Sequence, residues 1–232
     1  MFNTIFYRPL YNTLVWLINA TPNHDAGIAV VALTLIVSVL LYSISKKSIK
    51  TQLALKEIEP ELAKIKLIES KEEQAKQTLA LYKKHKVNPF SMILLVIIQF
   101  PILIALYYVF SSLPEIHPEA LYHFVEAPTN INMVFIGILD IGSKNIVIAV
   151  IAAVTQFIQA YIVTSYTKKP ETGVAKTTQE QFAHSMQTQM KYVLPVMIGF
   201  ISATVPAALP LYWTVRNIFT SIQELVVRRQ KS

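Results

Sequence analysis

The sequence predicts an all-α membrane protein: a five-span helical bundle with an outer interfacial amphipathic helix and a cytoplasmic helical hairpin. Three observations predict it. Residues 27–45, 89–114 and 145–167 hold no Asp, Glu, Lys or Arg, and a helix needs only about 20 residues to cross the hydrocarbon core. A further stretch, 192–223, is interrupted only by Arg216 and carries Pro206 and Pro210 near its middle. Lysines gather on alternate connecting segments, the pattern that sets membrane orientation.

Composition excludes several classes. The chain has 232 residues, 53% apolar and 15% charged, against about 25% charged in an average soluble domain. There is no Cys, which removes disulfides, thiolate metal sites, a Cys nucleophile and S-lipidation. Five glycines are too few for a collagen-like or flexible-linker chain. The net charge of +7 follows from topology and attraction to the inner leaflet, so it requires no specific nucleic acid partner.

Residues 1–25 read as the outer interfacial helix. The apolar run at 14–18 is too short to span, and Tyr7, Tyr11 and Trp16 favour the membrane–water boundary. A cleaved signal peptide is the competing reading. Span 1 covers 26–45. Residues 46–88 form the cytoplasmic hairpin, with eleven Lys, six Glu and no Gly. Ile49, Leu53, Leu55, Ile58, Leu62 and Ile65, then Ala75, Leu79 and Tyr82, recur at helical steps. They predict two antiparallel helices joined near residues 68–71, with Pro60 bending the first or starting a new one. The hairpin serves either as a solvated spacer or as a docking surface for ribosomes, targeting factors or headgroups.

Span 2 covers 89–113 and span 3 covers 145–167. Between them the outer loop, 114–144, holds Glu115, Glu119, Glu126, Asp140 and only one Lys, Lys144. A loop cap is the expected role of Asp140. The cytoplasmic loop 168–190 adds Lys168, Lys169 and Lys176. Lys191 precedes the last apolar stretch, while Arg228, Arg229 and Lys231 follow it. Equal flanks require two crossings, span 4 at 191–205 and span 5 at 206–227, with the prolines framing the turn. One long kinked span is the alternative. The tail, 228–232, is then cytoplasmic and the N-terminus outside.

Polar residues within spans cost free energy and so face protein or water. Span 1 offers Thr34 and Ser38, span 2 Gln99, span 3 Gln156 and Gln159, and span 5 Trp213, Arg216 and Asn217. Ser and Thr in helices often bond only their own backbone. Arg216 lies ten positions past Pro206, about 15 Å along a helix. That depth is close to mid-membrane, where an Arg costs roughly 2.5–3.5 kcal/mol. It snorkels to the cytoplasmic face or sits in a water-filled cavity of the bundle, the reading preferred here. No residues form a ligand-spaced metal site, a phosphate loop or a catalytic triad. The chain reads as a non-enzyme with no cofactor.

Four segments in order resemble the YidC family of membrane protein insertases. Asn88-Pro89 with Gln99-Phe100-Pro101-Ile102 and Ala105-Leu106-Tyr107 is similar to that family's second span. Thr155-Gln156-Phe157-Ile158-Gln159 resembles its third. Pro206-Ala207-Ala208-Leu209, Leu211-Tyr212-Trp213, Asn217 and Gln223 resemble its last, and Pro60-Glu61-Leu62 its hairpin. The resemblance implies a bacterial plasma-membrane insertase and chaperone, without the large outer domain of some relatives. It implies a hydrophilic groove open to cytoplasm and lipid and closed outside. Its implied partners are nascent membrane proteins and the lipid bilayer, with ribosomes, targeting factors and a Sec-type translocon as further candidates. One departure stands out. Thr34-Leu35-Ile36-Val37 is followed by Ser38, where relatives carry Arg, while Arg216 stands where theirs are small. The expectation is that the groove charge has moved between helices at similar depth, with Trp213 on its face. Met92 and Leu95 replace a common Gly and Pro and bear on packing. A small-solute transporter or channel and a grooveless structural bundle are the competing functions.

Overall fold

The computed structural model describes residues 1–65, 67–88, 90–165 and 189–230. It is mainly helical, and the chain divides into two compact units, one of 1–40 with 100–222 and one of 41–99 with 223–232. Most of the predicted cytoplasmic loop, 168–190, lies outside the described residues.

In the first unit a π-helical turn, Asn3–Tyr7, leads into α1, Arg8–Ala20. Pro9 sits in its first turn, where a missing N–H costs nothing. Tyr11, Leu14, Val15 and Ile18 recur at three and four and are fully buried, while Trp16 stays exposed. Asn23 and His24 take positive φ in the connecting turn. Asp25 then caps α2, Ala26–Leu40, accepting the Ile28 N–H at 2.9 Å.

Helix α2 is shorter than the predicted span 1. It ends before Leu41, and α3, Tyr42–Glu57, begins after it. Neither Gly nor Pro causes this break. Thr34 Oγ1 and Ser38 Oγ donate to the carbonyls of Val30 and Thr34 at 2.6 and 2.7 Å, a back-bonding that bends helices.

Helix α6, Phe90–Ser111, contains Pro101. The loop that follows, expected on the outer side, is more ordered than its sequence suggests. It holds a two-stranded antiparallel ribbon, β1 (Val134–Phe135) with β2 (Leu139–Asp140), a small exception to the all-α expectation. Asp140 accepts from Gly142 N–H at 2.9 Å and from the Ser143 hydroxyl at 2.7 Å, the cap expected of it. Asn145 caps α7, Ile146–Ser165, accepting from Val147 at 2.9 Å.

Helix α8, Leu194–Thr204, follows a π-helical turn at Gln189–Val193. It packs along α7 through small residues: a Cβ on Gly199 would lie 3.0 Å from that of Ala153. The chain turns at Pro206 and continues as α9, Ala208–Arg229. Phe110 of α6 and Tyr212 of α9 meet with ring centroids 6.3 Å apart, a pairing worth about 0.5–1.5 kcal/mol.

By length and apolarity, one helix among the described residues can cross a membrane alone, at Ile146–Thr164. Helices α2 and α3 qualify only as a pair, and Ile97–Ser111 and Lys191–Thr204 are apolar but shorter.

The second unit contains α3, α4 (Glu59–Ile65) and α5 (Lys71–Lys84). The predicted first hairpin helix breaks at Ile58, and Pro60 lies in the first turn of α4. Ser70 caps α5, accepting the Glu73 N–H at 3.4 Å, and Gln74 donates to the Ile68 carbonyl at 2.6 Å. Glu72 and Glu73 open the helix and Lys83 and Lys84 close it, matching its dipole. Ile58, Leu81 and Val87 form a small core with Leu55, Leu62, Ile65 and Tyr82 around it. The expected stripe residue Leu79 points outward, 59% exposed; Leu81 takes its place because the face turns toward α4.

Candidate functional site

One end of the first unit is built by backbone donors finding loop acceptors. Ala207 and Ala208 N–H donate to the carbonyls of Ser143 and Ile141 at 2.9 and 3.0 Å. Ala26 N–H donates to Asn132 at 2.9 Å, and the second oxygen of Asp25 accepts from Ile136 N–H at 2.8 Å. Gly27 gives room for Phe135: a Cβ there would meet the ring Cγ at 2.6 Å. On α1, Asn12 donates to Ala120 at 3.0 Å and accepts from Tyr122 N–H at 2.6 Å. Arg8 lies over the Tyr122 ring, 5.4 Å from its centroid. The Tyr11 hydroxyl accepts from His117 N–H at 2.7 Å. Burial pushes this phenol above its ordinary pKa, and the His117 N–H pulls the other way.

Below this cap lie most of the expected site residues. Thr34 and Ser38 are buried on α2 and spend their hydroxyls on their own helix. On α7, Gln156 donates to Gln159 at 3.1 Å, both half-buried. Among the described residues, this one internal bond leaves the pair an unspent carbonyl on Gln156 and an unspent N–H on Gln159. These are the two groups a peptide backbone can match. On α9, buried Asn217 donates to Thr155 of α7 at 3.4 Å. Beside it Arg216 is half-buried, with its Nη1 fully covered. Trp213 is half-buried one turn earlier. Gln99 is half-buried in the other unit. Chemically the arrangement is an amide and guanidinium array: it can accept and donate hydrogen bonds and meet an anion, and it offers no nucleophile–base pair.

Thr155 joins this array without being among the expected site residues. Its adjacency to Gln156 in an apolar helix is the signal that could have found it. In the second unit Gln223 and Glu224, on the same polar stripe of the last apolar stretch as Arg216, enter a cluster whose partners the sequence does not name. Ser45 donates to Gln223 Oε1 and Gln223 donates to the Tyr42 carbonyl, each at 3.1 Å. Arg228 Nε donates to buried Glu224 at 2.8 Å.

The family model described as 60Kd inner membrane protein matches residues 16–232. The chain is 30% identical to the membrane protein insertase YidC of Oceanobacillus iheyensis, over 99% of this chain and 84% of that protein. It is 30% identical to the protein of the same name in Clostridium tetani, over 90% and 84%. With the membrane protein insertase MisCB of Bacillus subtilis it shares 28% identity, over 88% and 72%.

Proposed function

The chain belongs to the 60Kd inner membrane protein family, and on that premise we propose that it inserts membrane proteins into the bacterial plasma membrane and chaperones their assembly. Five crossings at 26–45, 89–113, 145–167, 191–205 and 206–227 carry it, with the N-terminus outside and the tail in the cytoplasm. Thr34, Ser38, Gln156, Gln159, Trp213, Arg216 and Asn217 line a groove open to cytoplasm and lipid. A substrate's polar tail enters this groove while its apolar segment moves into the bilayer. Partial hydration of the tail lowers the cost of carrying polar groups across. Burial of the substrate's own span, about 25 cal/mol per Å² of apolar surface, drives the step without a nucleotide. Nascent membrane proteins and lipid are the partners. Ribosomes, targeting factors and a Sec-type translocon are further candidate partners.

The observation that carries this reading is the contrast between the two levels of the first unit. The outer level closes through loop hydrogen bonds such as Ala207 to Ser143. Beneath it, Gln156, Gln159, Arg216 and Asn217 gather polar capacity on two helices. A transporter would need a path open at both levels.

The chain has no native Cys, so single-Cys variants report cleanly. Cys at 38, 159, 213 or 216 is expected to react with a water-soluble thiol reagent added from the cytoplasmic side and to crosslink a stalled nascent membrane protein. Protection from the reagent together with no crosslink at any of the four overturns the groove. Solute flux in liposomes without insertion favours the transporter.

A further inference from the structure

At one end of the α7–α8 pair, four side chains converge that the groove does not use. Lys191 Nζ lies 4.6 Å from the ring centroid of Tyr161 and 5.3 Å from that of Tyr192. Phe157 closes the cluster, 6.4 Å from Tyr161 and 6.1 Å from Tyr192. The rings remain half open to the surroundings, 51% and 53% exposed for the tyrosines. Two ring faces hold the ammonium in place without neutralising it. Among the described residues Lys191 has no carboxylate partner. From this cluster the two helices expose a continuous apolar strip: Val150, Val154 and Ile158 on α7, with Val196, Met197 and Phe200 on α8.

A fixed cation with phenols beside it, at the head of a strip wide enough for acyl chains, matches one kind of molecule. We propose that Lys191, Tyr161, Tyr192 and Phe157 bind the phosphate headgroup of an anionic phospholipid, with its chains lying along α7 and α8. The phosphate meets the ammonium, and the phenol hydroxyls add donors. A free phosphate would gain nothing from the strip. The proposal rests on the membrane reading above, which places the site in the inner leaflet.

The test is lipid retention by the full chain in nanodiscs of phosphatidylcholine containing phosphatidylglycerol as the minority lipid, read by native mass spectrometry. No insertion substrate is present, so a failure of the insertase reading leaves this result untouched. The wild type is expected to retain phosphatidylglycerol about fivefold above Lys191→Gln, the weight of one basic side chain at an anionic surface. Lys191→Arg should keep most of that preference, and Tyr161→Leu should lose part of it while leaving the charge. Retention in the bulk lipid ratio by the wild type overturns the site. So does an equal loss on Lys46→Gln, which would mark general surface charge as the cause.

Discussion

Asn217 and Thr155, 62 positions apart in the chain, join two helices through a single side-chain hydrogen bond of 3.4 Å. Its length marks it as a weak bond with capacity to spare. Interhelical bonds in membranes average about 0.6 kcal/mol. A double-mutant cycle of Asn217→Leu and Thr155→Val, read by unfolding in mixed micelles, should give a coupling of about that size. A coupling near zero would mean that both groups are satisfied by water.

Arg216→Ala should lower insertion of substrates with acidic tails by about tenfold, the weight of one hydrogen bond to a charged group. Substrates with neutral tails should be little affected. Adding Ser38→Arg should restore the loss if the two positions serve one groove. The measurement is insertion in cells depleted of other insertases, and unchanged insertion by Arg216→Ala defeats the charge-transfer idea.

Gly27→Ala should destabilise the outer cap by about 1–3 kcal/mol, because its methyl would press on Phe135. Phe135→Ala in the same chain should recover part of that. Proteolysis of residues 117–144 from the outer face reads both. Equal resistance of Gly27→Ala and wild type would show that the loop gives way freely.

The Tyr11 phenol is held neutral by burial, its pKa raised. A raised value means the folded state prefers the protonated form. Its contribution is therefore complete below the unfolded pKa, about 10, and is lost as pH climbs through the higher folded value. The thermal midpoint should fall on the alkaline side of that point. Tyr11→Phe should be less stable at neutral pH by about 1 kcal/mol, having lost the bond to His117, and its midpoint should lack the Tyr11 part of that fall.

Helix positions were legible where a strong local signal exists. Pro60 begins α4, Pro206 separates α8 from α9, and Asp140 caps its loop. The break at Leu41 was not legible, since neither Gly nor Pro marks it. Leu79 and Leu81 lie on nearly opposite faces of α5, each an apolar residue at helical spacing from others, and only the partner helix decides which face is buried. The candidate site was legible as a set of polar residues in apolar runs. Pairings such as Gln156 with Gln159 follow from spacing. Those of Asn217 with Thr155 and Gln223 with Ser45 depend on tertiary neighbours and were out of reach. The Arg228–Glu224 pair was readable as an i to i+4 ion pair, but its burial was not.

The turn before α9 brings its own acceptors, since Ser143 and Ile141 take the donors of Ala207 and Ala208. A bare helix start needs solvent at that point, and hydrocarbon would strand its amides at several kcal/mol each. This one asks nothing of its medium. On the five-crossing proposal, the tip can sink beneath the phosphate plane, and the depth of the last two crossings follows the local lipid rather than dictating it.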